Sequence, residues 1–329
     1  MYIKEETLDD LLYEVLSRLL KLADTVPGSR GAISEITGVV LELTNPLARL
    51  SRAEKKMHLF SGLGELLWYL AGSNDLEFIA YYLPKYREES DDGKTVFGAY
   101  GPRLLNMRGT HDQIKNVISV LKIKPTSKRA VVQIFDAADL AERHLEIPCT
   151  CTLQFLIRDK KLCAFTYMRS NDALWGLPHD IFSFTMLQEL IARSLGLEVG
   201  PYKHATTSLH LYDKHRTEAQ EYVNEGIQAR IGVAMPPMPL GDPWQSVRTL
   251  VDAEHSIRSG NILDPGALSI DPYWQDFVQL LNVFQHYRSG AEAKIARLAK
   301  RIHSPIFRMY IEQKRRAAVR PKADRNRRR

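Results

Sequence analysis

The sequence predicts an α+β fold, on three observations. Apolar residues recur at helical spacing near the N-terminus, in Leu11, Leu12, Val15, Leu19 and Leu20 and again in Leu63, Leu66, Leu67 and Leu70. Short β-favouring runs crowd the centre, at Ala130–Phe135, Thr152–Ile157 and Cys163–Met168. Helical patterns return after residue 273 and grade into a basic end.

Taken in order, residues 7–24 read as an amphipathic helix, Gly28 to Arg30 as a turn, and Val39–Leu43 as a strand. A second helix is expected over 53–72, with Gly72-Ser73-Asn74 as its stop. Ser90 to Gly101 is polar and glycine-bearing, so it reads as a loop. Arg158-Asp159-Lys160-Lys161 joins the last two central strands as a turn. A long apolar helix beginning near Pro178 runs to Leu195, and Leu209–Tyr212 is a short strand. Gly232 to Pro243 carries Pro236, Pro237, Pro239 and Pro243 and reads as a linker or an extended crossing. Helices follow over 273–287 and 290–302. The division expected is a body over 1–240, a helical extension over 241–313 and a basic, disordered tail over 314–329.

Composition narrows the class. Of 329 residues, 44% are apolar and 26% charged, which excludes a disordered or collagen-like chain. No apolar run reaches the ~20 residues of a membrane-spanning helix. The opening residues are acidic where a signal peptide is basic, so secretion is not expected. Three cysteines, Cys149, Cys151 and Cys163, do not make a disulfide framework and fit a reducing cytoplasm. The net charge of +6 is misleading: residues from Lys314 onward hold nine bases and one acid, leaving the body nearly neutral.

Cys149 follows Pro148 at a loop–strand junction, where substrate can reach it and nearby cations can activate it. Taken alone it reads first as a small core residue. A Cys-x-Cys metal site lacks nearby partners to complete a tetrahedral set, so no metal is expected. Arg169 and Ser170 at a strand end suit a phosphate, the guanidinium offering paired donors in a fixed fork. Asp172 and Asp180, with a turn between them, are a possible carboxylate pair.

These pieces also occur in a fixed order. Pro148-Cys149-Thr150, Met168-Arg169-Ser170-Asn171-Asp172, Gly176-Leu177-Pro178-x-Asp180 and His210-Leu211-Tyr212 follow Glu65–Gly72, Tyr100-Gly101 and Lys128-Arg129-Ala130. Over about residues 28–225 the chain resembles the thymidylate synthase superfamily. The resemblance implies a mixed β-sheet packed with helices and dimerising through the sheet, followed here by a helical extension. It implies Cys149 as the nucleophile that adds to C6 of a pyrimidine nucleotide. Arg30, Arg169 and Ser170 would hold the 5′-phosphate, with Lys128 and Arg129 reaching in from the partner of a homodimer. Asp172 would also bind substrate. Glu65 would organise water and proton transfers, Tyr100 would help remove the C5 proton, and His210 and Tyr212 would hold the sugar. The implied co-substrate is 5,10-methylenetetrahydrofolate.

Departures from the family pattern set the expected substrate. Thymidylate synthases carry an asparagine where this chain has Asp180, and that asparagine reads uracil O4 and N3–H. An ionised carboxylate cannot donate to O4 but accepts from cytosine N4–H, so CMP or dCMP is expected. The branch with aspartate there is similar to cytidylate and deoxycytidylate hydroxymethylases of phages and nucleoside-antibiotic pathways, in which water traps the one-carbon unit and tetrahydrofolate leaves unoxidised. Tyr86 and Glu89 stand where thymidylate synthases place tryptophans, a more polar wall that would admit water. Lys128 replaces an arginine, and the chain ends in Arg327-Arg328-Arg329 rather than an apolar closing segment. The enzymatic alternative is methylation of dUMP or UMP. An alternative of another class is nucleic-acid binding through the basic tail, against which stands its lack of interleaved aromatics.

Overall fold

The computed structural model describes residues 1–51, 58–226 and 234–319. Its elements run β1 (Tyr2–Glu5), α1 (Leu8–Leu20), β2 (Val26–Gly28), β3 (Gly31–Leu43), α2 (Leu59–Leu70), α3 (Leu76–Tyr82), α4 (Tyr100–Leu105) and α5 (Gln113–Ile123). There follow β4 (Val131–Gln133), β5 (Thr150–Arg158), β6 (Lys161–Asp172), α6 (Gly176–Ser194), β7 (Glu198–Tyr212) and α7 (Arg216–Asn224). The chain closes with α8 (Trp244–Arg258), α9 (Pro272–Arg288), α10 (Glu292–Ala299) and α11 (Pro305–Val319).

The strands form one seven-stranded mixed sheet in the order β1-β3-β7-β6-β5-β4, with β2 folded back on β3. β1 runs parallel to β3 and β6 parallel to β7, while the other pairs are antiparallel. The α+β reading therefore holds. Strands meet helices at the sheet's inner face, where alternate β6 residues Leu162, Ala164, Thr166 and Met168 are buried. Against that face lies α6, buried nearly all round, its polar residues His179, Ser183, Thr185, Gln188, Glu189 and Arg193 included. Gln188 ties it to the sheet, its Nε2 donating to the carbonyls of Leu162 and Gly200 at 2.8 Å each. On the opposite face Phe165 and Tyr167 are exposed.

Several boundaries differ from expectation. The strand expected at 209–212 is the end of β7, fifteen residues long, whose Gly200-Pro201 and alternating polar positions disguise it. The strand expected at 39–43 is the end of β3, which continues back to Gly31. Helix α2 begins at Leu59, and 52–57 of the span expected for it lie outside the described residues. Helix α11 extends to Val319, so 314–319 of the expected tail are helical, and 320–329 lie outside the described residues. The C-terminal helices are also joined to the body: Phe284 of α9 stacks on Tyr82 at 5.1 Å, and Glu254 of α8 accepts from the Tyr82 hydroxyl at 2.8 Å. One hydrophobic core spans both. Among the described residues no helix is long and apolar enough to cross a membrane.

Candidate active site

Cys149 sits where the loop from β4 enters β5, half-buried. The β5–β6 register shifts between Thr150 and Thr152, an irregularity beside the cysteine that re-aims the chain there. Arg169 on β6 braces this loop. Its backbone N–H donates to the Cys149 carbonyl at 2.9 Å, and its guanidinium donates to Pro148 O at 3.0 Å and Ile147 O at 3.1 Å. Removal from water pushes the thiol up to about 12, Glu146 adds to the rise, and Arg169 opposes it. Burial and Glu146 thus favour the thiol over the thiolate.

Carboxylates crowd the same region. Arg30, at the β2–β3 turn, donates from Nη2 to Glu89 Oε1 at 2.6 Å. Glu146 is raised to about 7 by loss of solvent and by Glu89, with Arg30 and Arg169 pulling the other way. Glu89 thus pairs with Arg30, and Glu146 feels both arginines expected to meet a phosphate.

Tyr100, at the start of α4, stacks on Tyr69 at 5.1 Å and accepts from the Thr150 N–H at 3.2 Å. Burial, then Asp180 and Cys149, hold its hydroxyl well above the usual phenol range. Glu65 on α2 is buried and accepts from the Tyr86 hydroxyl at 2.7 Å. Tyr86 in turn packs edge-on against Trp68. Asp180, half-buried in the first turns of α6, accepts at Oδ2 from Asn171 Nδ2 at 2.6 Å. Desolvation, Glu65 and Asp172 raise its carboxyl well above the ordinary range, against the lowering effect of Asn171.

The residues expected to hold the sugar come from adjacent strands. Asp172 faces His210 across the β6–β7 pairing. Ser170 Oγ lies 3.4 Å from His210 Nδ1, and His210 packs edge-on against Tyr212. Asp172 uses Oδ1 to accept the N–H groups of Leu174 and Trp175, shaping the turn into α6.

The structure therefore brings Cys149, Arg169, Tyr100, Glu65 and Asp180 into one electrostatic cluster, with Ser170, Asp172, His210 and Tyr212 following along β6 and β7. Arg30 is near but engaged by Glu89. Lys128 and Arg129 lie apart, exposed on the approach to β4, with the Lys128 carbonyl accepting from Gln154 Nε2. Three neighbours were not singled out from the sequence. Glu146 precedes the cysteine by three residues, Asn171 contacts Asp180, and His179 bridges Trp175 O and Ser61 Oγ at 2.9 Å each. A charged or amide residue in a loop or strand end ordinarily faces solvent, so only the unusual Glu-x-Pro-Cys spacing hinted at the first.

The family model described as thymidylate synthase matches residues 44–239, and the chain belongs to the thymidylate synthase family. Within that family it is 36% identical over 165 residues to the deoxyuridylate hydroxymethyltransferase of Pseudomonas phage M6, covering 49% of this chain and 47% of that protein. It is 31% identical over 215 residues to the deoxyuridylate hydroxymethyltransferase of Bacillus phage SP01, covering 61% of this chain and 56% of that protein. The chain spans about half the length of these curated relatives.

Proposed function

We propose that this chain hydroxymethylates C5 of a pyrimidine nucleoside monophosphate, taking the one-carbon unit from 5,10-methylenetetrahydrofolate, with deoxyuridylate as the first substrate. The observation that carries the base assignment is the environment of Asp180. The cytidylate expectation assumed an ionised carboxylate, whereas desolvation and the neighbouring Glu65 and Asp172 favour the neutral acid. A neutral acid has one O–H donor and one acceptor oxygen. It can donate to uracil O4 and accept from N3–H, as an asparagine amide would. The names of the two phage relatives agree with that choice.

In the proposed reaction the Cys149 thiol releases its proton to a neighbouring carboxylate, its sulfur bonds to C6, and the C5=C6 π pair moves toward the C4 oxygen as an enolate. C5 then attacks the one-carbon unit of the folate co-substrate. Loss of the C5 proton, with Tyr100 close by to relay it, and departure of tetrahydrofolate leave an exocyclic methylene. Water adds to that carbon, the electron pair returns through the enolate, and the C6–S bond breaks to restore the thiol. No oxidant is needed. The polar wall of Tyr86, Glu89 and Glu146 suits the water step, and Arg169 with Ser170 suits the phosphate. Lys128 and Arg129 would serve a partner's phosphate in a homodimer formed through the exposed sheet face bearing Phe165 and Tyr167.

Cytidylate is the second reading, favoured by the hydrogen bond from Asn171. That bond stabilises the ionised Asp180, which accepts from cytosine N4–H and gives nothing to O4. A competition among dUMP, dCMP and CMP with methylenetetrahydrofolate, scored by product mass, decides between them. The expected product is 5-hydroxymethyl-dUMP, absent with Cys149→Ser. A methyl product formed with a rise in dihydrofolate absorbance would instead indicate thymidylate synthase-like chemistry.

A further inference from the structure

Glu35 is an acid beside the candidate site that the proposed reaction leaves without a task. It lies on β3, whose register sets it directly opposite His210 of β7. Asp172 of β6 stands opposite the same histidine from the other side. Directly paired residues share one face of a sheet. Asp172, His210 and Glu35 therefore form a single row across three strands, with Ser170 and Ser208 paired in a neighbouring row. The charges of Asp172 and Glu35 both act on the His210 ring, against the effect of its burial.

The Glu35 side chain is half-buried and held in place. Ser208 Oγ donates to its Oε1, which anchors the carboxylate next to His210. Among the described residues this is its one hydrogen bond and no cation pairs with it, so Oε2 is left as an acceptor. A nucleoside monophosphate offers three kinds of group to such an oxygen. Its phosphate is an anion, which a carboxylate repels. Its base edge is met by Asp180 in the proposed reading. Its sugar hydroxyls are neutral donors, and an acidic side chain is what receives a ribose hydroxyl in dinucleotide-binding folds. The competing occupant is a cation from a partner subunit.

We propose that Glu35 is a sugar-binding residue, its unengaged carboxylate oxygen accepting a hydrogen bond from a hydroxyl of the bound nucleotide's sugar beside His210. The proposal rests on the reading of this site as one for a pyrimidine nucleoside monophosphate. It adds a substrate contact on β3, outside the motifs that carry the other site residues.

The test uses the full chain without folate, so that it reads binding and not turnover. Affinities are measured by calorimetry for dUMP and dCMP and for the 2′,3′-dideoxy analogue of each, which removes the base preference from the comparison. The wild type should bind the deoxynucleotide of its preferred base at least about tenfold tighter than the dideoxy analogue, the scale of a hydrogen bond to a charged group. Glu35→Ala should shrink that ratio several-fold while leaving the dideoxy analogue's affinity within about twofold of wild type. Glu35→Gln, which keeps a carbonyl acceptor for Ser208 and the sugar but loses the charge, should fall between the two. Thermal melting of each variant reports folding separately. Equal binding of the deoxy and dideoxy forms by the wild type would overturn the proposal. So would a loss of the same factor for both forms in Glu35→Ala, the result expected if Glu35 anchors a partner's cation. A folded wild type that binds none of the four nucleotides would sink the nucleotide reading itself, and the role of Glu35 with it.

Discussion

Replacing Glu146 by glutamine should make Cys149 more reactive, and the direction follows from the charges around the sulfur. The thiol stands at about 12, raised by desolvation and then by Glu146, with Arg169 the opposing cation. Removing one neighbouring negative charge in a partly solvated site changes the balance by about 1–2 kcal/mol, or about one pKa unit. At pH 8 a thiol far below its pKa gains thiolate about tenfold for each unit lost, so iodoacetamide should alkylate Cys149 about tenfold faster in the variant. The pH dependence supplies the sharper check. Glu146 itself titrates near 7, so above that pH it is charged and holds the thiol up. Below about pH 6 it is neutral in the wild type as well, and the two proteins should react alike. Rates are read by mass spectrometry of the Cys149 peptide, with Cys149→Ser as the blank. Equal rates at pH 8 in a folded variant, or a gap that persists below pH 6, would refute the electrostatic account.

Glu89→Gln should release Arg30 from its 2.6 Å ion pair, tightening dUMP binding several-fold in low salt, measured by calorimetry. Equal affinities would mean that Arg30 does not meet the phosphate. In the core, Arg49 and Glu189 form an ion pair at 2.5 Å with both side chains fully buried, and Glu189 also accepts from the Met238 N–H at 2.7 Å. Glu189→Leu leaves the Arg49 charge unpaired and should destabilise the fold by about 3–5 kcal/mol in denaturant unfolding.

Much of the fold was legible because its signals are local. The helical spacing in α1, α2 and α9, and the β5–β6 pair with its Arg158–Lys161 connection, are properties of short windows. The elements missed have weaker local signatures. Helix α8 carries polar residues over most of its surface and is fixed by burying Val247, Leu250 and Ile257 against the body. Strand β7 owes its length to hydrogen bonding with β3 on one side and β6 on the other. Partners distant in sequence create that continuity, and no window of residues displays it.

The site divides in the same way. Residues expected to serve covalent chemistry or phosphate recognition, such as Cys149, Arg169 and Ser170, stand in short motifs that a sequence displays. Protonation is different, because it depends on what three-dimensional packing places beside a group. Asp180 looks like a carboxylate in the sequence, yet Glu65 from α2, Asp172 from β6 and the loss of solvent favour its neutral form. The same residue then presents a different hydrogen-bond pattern to a base. An argument from residue identity alone reaches the family, but in the proposed reading the choice between an oxo and an amino group at C4 turns on a single proton. Loss of solvent and the acids around Asp180 bear on that proton, which is why a measured base preference speaks more directly to the substrate than any further comparison of motifs.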